Sequence, residues 1–273
     1  MKGRLRAGLI LLWGVYFTGC GPSAESVKVP APPPSSKEEL YRQGHALYGR
    51  EDVDQAVALL EKALALDSLY EGPLLDLASL YYDMGMRGKG GSPELRGEHL
   101  RRAAGYFARL ERSGNREPVV YERLCEISVE LSDTVAFVLH AERYASHYPE
   151  DRQFHNLGVA YYEAGRYQDV IRSMKEAIKK FPESSYSSSF YRQLGYAYMK
   201  VDRHQTAERT LYAGLKAIEG GSARVNGTAE TVRRVKDDTI AILLALRKLH
   251  RIYDAEDKLR DVEGRLHDSG YRE

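Results

Sequence analysis

Cysteine and tryptophan are nearly absent from this chain. Of 273 residues two are Cys, Cys20 and Cys125, and one is Trp. So few cysteines exclude a disulfide framework and a cysteine-built zinc site. An excess of one charge is missing too: 40 Lys and Arg stand against 39 Asp and Glu, a net charge of +1. A nucleic-acid surface normally needs a basic excess, so nucleic acid is not expected as a partner. No Gly-x4-Gly-Lys-Ser/Thr phosphate loop occurs; Gly88-Lys89-Gly90-Gly91 lacks both the spacing and the hydroxyl. His-Glu-x2-His, Cys-x2-Cys and Gly-x-Ser-x-Gly are missing as well. His140 and His147 lie two helical turns apart but have no evident third ligand. The expectation is a non-enzyme with no cofactor and no metal. What is present, 43% hydrophobic and 29% charged residues, is the composition of a folded protein of one or two domains.

The first residues read as an address. Lys2, Arg4 and Arg6 precede an uncharged, mostly apolar run from Ala7 to Phe17. A basic start followed by a short apolar core is the pattern of a secretory signal. As a helix that run rises only about 16 Å, too short for roughly 30 Å of hydrocarbon. It ends Phe17-Thr18-Gly19-Cys20, which resembles a bacterial lipobox with Phe17 where Leu is usual. The resemblance implies a signal peptide over 1–19 and an acylated Cys20, with chains such as palmitate, contacting the membrane. An ordinary signal peptide with an incidental Cys is the alternative. Gly21, where an Asp would retain a lipoprotein in the inner membrane, points to the outer membrane, facing the periplasm. Residues 20–36 follow with Pro22, Pro30, Pro32, Pro33 and Pro34, an extended tether rather than a core-former.

Period dominates the remainder. Residues 37–70 place Leu40, Gly44, Leu47 and Tyr48 along one helix face and Ala56, Leu60 and Ala63 along the next, with a turn at residues 49–52. Residues 151–184 give Phe154-x2-Leu157-Gly158-x2-Tyr161, a turn from Ala164 to Tyr167, then Met174, Ala177 and Pro182. Residues 188–221 give Tyr191, Leu194, Gly195 and Tyr198, then Ala207, Leu211 and Gly214. Weaker copies occupy 71–116, with extra residues over 83–95 read as a loop, either a second candidate binding element or a flexible surface insertion, and 118–150, where Cys125 takes a small-residue position as a core thiol. Residues 222–235 read as a loop. Capping helices follow to 273, with a degenerate copy over 236–269 in which Leu243 stands where a small residue is expected. These copies resemble the tetratricopeptide repeat, 34 residues with Trp-x2-Leu-Gly-x2-Tyr, Ala-x3-Phe and Pro. The resemblance implies an all-α, right-handed helical solenoid of about five to six helix-turn-helix repeats, with the array proper over 37–221.

In such arrays the first helix of each repeat lines a concave groove. Carried onto this sequence, the groove residues are Tyr41, Arg42, His45 and Tyr48; Asp76, Ser79 and Tyr82; Glu122, Arg123 and Glu126; His155, Asn156 and Tyr162; and Arg192, Gln193 and Tyr196. Tyr and Arg bury large area while keeping a polar end, which suits interface anchors. The carboxylate clamp of chaperone-tail-binding arrays is not matched, because Tyr41 and His45 stand where Lys and Asn would be. The expected function is a lipid-anchored, periplasm-facing scaffold that binds another protein or a peptide segment in cell-envelope assembly or maintenance. A carbohydrate- or peptidoglycan-binding module on the same array is the alternative.

Overall fold

The structure, a computed structural model, describes residues 36–48, 52–87, 92–220 and 228–272. The segments expected to be a signal peptide (1–19) and, up to residue 35, a tether lie outside them, Cys20 included. The described residues form twelve helices: α1 (Lys37–Leu47), α2 (Val53–Leu66), α3 (Glu71–Arg87), α4 (Pro93–Ser113), α5 (Pro118–Glu130), α6 (Thr134–His147), α7 (Asp151–Glu163), α8 (Tyr167–Lys180), α9 (Ser187–Lys200), α10 (His204–Glu219), α11 (Ala229–Ile252) and α12 (Glu256–Asp268). They pack as consecutive antiparallel pairs, each pair resting on the next. This is an all-α solenoid of tetratricopeptide type.

Local chemistry sets the helix ends. The side chains of Ser36, Ser92, Asp133 and Thr228 accept hydrogen bonds from backbone N–H groups in the first turns of α1, α4, α6 and α11. Each cap satisfies a donor that the helix itself cannot. The turns inside four repeats share one geometry. Two residues past the end of α5, α7, α9 and α11 stand Ser132, Gly165, Asp202 and Asp254, with φ of 54°, 70°, 57° and 51°. Each left-handed residue ends one helix and aims the chain into its partner. Gly165 adopts this conformation without strain, whereas a Cβ disfavours it at the other three.

Small residues let the paired helices cross closely. Gly195 on α9 faces Leu211 on α10, and a Cβ at Gly195 would lie 2.5 Å from Leu211 Cδ2. The same offset along the chain relates Gly44 to Leu60 and Gly158 to Met174. Ala78 holds the equivalent place on α3 and is fully buried. Cys125 on α5 is half-buried rather than enclosed. Around these crossings Leu60, Leu74, Phe107, Leu124, Met174, Phe190 and Leu211 fill the core with almost no exposure. The core runs in three adjoining clusters, around α2–α5, α5–α7 and α7–α12.

Two expectations require correction. The insertion at 83–95 is not a loop throughout. Residues 83–87 continue α3 and 93–95 begin α4, which makes this, with helices of 17 and 21 residues, the longest helix pair among the described residues. Pro93 stands in the first turn of α4, where its missing N–H costs nothing. The extensions hold together because Leu100 packs on Gly85 and Arg96 Nε donates to the Gly85 carbonyl at 3.1 Å. Residues 88–91 lie outside the described residues. Nor is 222–235 a loop throughout. Thr228 caps α11 and residues 229–235 form its first two turns, while 221–227 lie outside the described residues. With α12, α11 makes a sixth pair bearing the same left-handed turn, and Leu243, expected at the small-residue position, is buried.

Candidate functional site

The groove residues belong to α1, α3, α5, α7 and α9, the first helices of successive pairs. The structure brings most of them together, and chiefly with one another. His45 Nδ1 on α1 lies 2.7 Å from Asp76 Oδ2 on α3. Tyr41 packs against Tyr70 and His45, each with a centroid separation of 5.4 Å. Burial, followed by the Asp83 and Asp76 charges, raises the Tyr48 phenol pKa. Tyr82 on α3 donates to Glu126 on α5 at 2.6 Å and accepts from Arg123 at 2.9 Å. The Arg123 guanidinium also covers the Tyr82 ring, 4.5 Å from its centroid. Burial, then the Glu126 carboxylate, holds the Tyr82 phenol above its ordinary pKa. Glu122 accepts from Tyr144 Oη at 2.9 Å. Arg42 stays on the surface and pairs with Glu39 of its own helix.

The C-terminal part of the face is built the same way. Gln193 Nε2 on α9 lies 2.9 Å from His155 Nδ1 on α7. Arg192 Nε donates to Asp238 Oδ1 on α11 at 2.6 Å. Ser188 and Ser189 donate to Asp238 Oδ2 at 2.7 and 2.5 Å. Asp238 is 3% exposed, so this is a buried carboxylate satisfied by three donors. Tyr196 Oη donates to the Ala241 carbonyl at 3.0 Å. Asn156 is half-buried on α7. Tyr162 packs edge-on to Tyr167 at 5.4 Å and tilted to Tyr196 at 6.4 Å. Most of the predicted contact residues therefore act as staples between first helices. Deleting one strands its partner, so such a deletion tests folding as much as binding.

His155 has a measurable consequence. Burial, followed by the Arg192 charge, pushes its pKa from 6.5 down to about 4. Between these values the unfolded chain binds a proton that the folded chain refuses, so stability is full above 6.5 and falls as pH drops toward 4. His140, also held low by burial, acts in the same direction. The urea midpoint is expected to fall across this window, and to fall less in a His155→Gln variant. Cys125 has a similar signature. Burial pushes its thiol up to about 12. The neutral thiol is a poor nucleophile, so iodoacetamide at pH 8 is expected to label Cys125 only after unfolding.

The residues that the sequence reading missed lie on α11. Arg234, Asp237, Ala241, Leu244, Lys248 and Ile252 recur at three- and four-residue steps, one face of a helix. This face closes two clefts. One, of about 480 Å³, lies between α9 and the start of α11 and sets Arg192, Arg233 and Arg234 against Glu230, Asp237 and Asp238. The other, of about 530 Å³, lies between α7, α9 and the end of α11 and is lined by Tyr162, Tyr196, Met199, Leu244, Lys248 and Ile252, among others. Here the aromatic and aliphatic surface is open and Ile252 is 54% exposed. Periodicity through 234–252 is the available signal, and the expected loop over 222–235 takes in only its first two residues. Among the described residues no group of three or more His, Cys, Asp or Glu is placed to hold a metal, and no helix is long and apolar enough to cross a membrane.

No family model matches the chain. The protein O-mannosyl-transferase TMTC2 of Xenopus laevis is similar over 63 residues at 38% identity, and the mouse protein over 63 residues at 35%. The match covers 23% of this chain, and the chain spans only 8% of the length of these relatives. Among solved structures, a crystal structure of MamA matches at a TM-score of 0.47 and 17% identity, covering 70% of this chain and 96% of that one. YrrB, described as a TPR protein with an unusual peptide-binding site, matches at 0.46 and 14%, covering 66% and 84%. The pilF protein of Pseudomonas aeruginosa matches at 0.44 and 16%, covering 84% and 90%.

Proposed function

We propose that this protein is an interaction scaffold that takes a peptide segment of a partner protein against the first-helix face of its array. A lipid on Cys20 holds it at the outer membrane, facing the periplasm, where it serves cell-envelope assembly or maintenance. The observation that carries the binding role is the open cleft between α7, α9 and α11, where Tyr162, Leu244 and Ile252 leave apolar surface uncovered on a face whose polar groups are otherwise mostly paired within the chain. The lipid role rests on the Phe17-Thr18-Gly19-Cys20 pattern.

The test is crosslinked affinity capture from native membranes, comparing wild type with Tyr162→Ala/Ile252→Ala. Arg192 and Tyr196 are unsuitable for substitution, because each holds α9 to α11. One protein recovered with wild type and lost with the variant supports the scaffold. Capture that survives protease treatment of the ligand fraction would point to a glycan. Labelling with an alkyne fatty acid, abolished by Cys20→Ser, tests the anchor separately.

A further inference from the structure

Most cations on the groove face have a carboxylate beside them. Arg42 has Glu39, Arg123 has Glu126 and Arg192 has Asp238. The cleft at the end of α11 differs. Lys200 and Lys248 stand on its two sides, one on α9 and one on α11, and both are exposed. No carboxylate lies within ion-pair distance of either among the described residues. Arg251, a turn further along α11, pairs with Glu263 at 3.2 Å, and Asp202, 93% exposed and 3.7 Å from the His204 ring, is the one carboxylate among the residues that line this cleft. Between the two lysines the floor is apolar, made by Met199, Leu244, Ala245 and Ile252 with the Tyr162 ring at one side. The other cleft, higher on α11, balances three arginines against three carboxylates and offers no comparable floor.

We infer that this cleft takes an acidic peptide segment in which carboxylates alternate with apolar side chains. The inference rests on the peptide-binding reading above and adds the chemistry of the ligand and its place on the array. The two ammonium groups are already solvated, so a ligand carboxylate at the rim gains attraction without either partner being fully desolvated. Affinity comes from the apolar floor, and selectivity from the charge. Leu244, Lys248 and Ile252 cover about 12 Å of helix, the reach of about four extended residues. A short segment is therefore enough to fill the cleft. An extended segment points alternate side chains to opposite faces, which lets one face meet the floor while the other carries acids toward the lysines.

The experiment is fluorescence polarisation with the full chain in mild detergent and three labelled ten-residue peptides, of alternating Glu/Leu, Lys/Leu and Glu/Ser. Wild type is expected to bind Glu/Leu best, and more weakly as salt rises, because rim charges are screened over about 10 Å at 0.1 M. Lys200→Glu/Lys248→Glu is expected to weaken Glu/Leu by at least about tenfold, equivalent to about 1.4 kcal/mol, and to gain Lys/Leu binding. Both side chains are exposed, so the variant keeps its circular dichroism spectrum. Ile252→Asp is expected to weaken the same peptide with its charge partners intact. Equal binding of Glu/Leu and Lys/Leu, no response to the double variant, or no binding of any peptide overturns the inference. Preference for Lys/Leu that is lost on Tyr162→Ala leaves the scaffold standing and removes its acidic selectivity. Failure of both this assay and the membrane capture removes both.

Discussion

Replacing Asp238 with Ala is expected to cost about 3 kcal/mol of stability, because breaking a buried ion pair from one side leaves the other charge unpaired. Asp238 accepts from Arg192, Ser188 and Ser189, all on α9, at 2.5–2.7 Å. Without it the Arg192 side chain, 26% exposed, has little water to turn to, and two buried hydroxyls lose their acceptor. Asp238→Asn keeps one acceptor oxygen and falls between. Arg192→Met together with Asp238→Ala is expected to recover part of the loss, since both charges are then gone. Urea unfolding gives the magnitude, and hydrogen exchange gives the place. In a solenoid each pair leans on its neighbours, so protection is expected to fall first in α11 and α12 and least in α1 to α4. An unchanged urea midpoint would mean that α11 is held to α9 by its apolar surface alone.

Gly195→Ala is the second large effect, expected to destabilise by about 2 kcal/mol as an overpacked core. In an exposed helix the same change would stabilise by about 1 kcal/mol. The sign reverses because the new methyl would stand 2.5 Å from Leu211 Cδ2, and Leu211 is itself fully buried with nowhere to move. Relief from Leu211 is the signature: the double variant Gly195→Ala/Leu211→Ala is expected to cost less than the sum of the two single changes. Strict additivity by chemical denaturation would mean that the helices cross farther apart than described.

The two effects separate what could be read from the chain and what could not. The small residue at 195 and the large one at 211 are visible in the sequence, because the repeat puts them at a fixed offset. So are the helix pairs, whose apolar faces follow a helical period. Lengths were misread where glycines cluster. Gly88, Gly90, Gly91 and Pro93 suggest a long loop, yet residues 83–87 belong to α3 and Pro93 already opens α4. The glycines and Asn before Thr228 likewise hid the first turns of α11.

The groove was legible as a face and not as a set of free side chains. His45 meets Asp76 across 31 residues, Arg123 meets Tyr82 across 41, and Arg192 meets Asp238 across 46. Nothing local in Lys236-Asp237-Asp238-Thr239 separates a buried carboxylate from a solvated charge run. Only the packing of α11 on α9 shows which Asp is enclosed, and which Tyr and Lys near it remain open to a partner.

The central claim is that the partner lies in the cleft between α7, α9 and α11. Site-specific photocrosslinking in living cells tests it most directly, with a photoreactive residue placed at Tyr162, Lys248 or Ile252, and at Val135 on α6 as a control 80% exposed. The account predicts one shared crosslinked protein band from the three cleft positions and none from Val135. A band from Val135 alone, or no band from any cleft position, would contradict it.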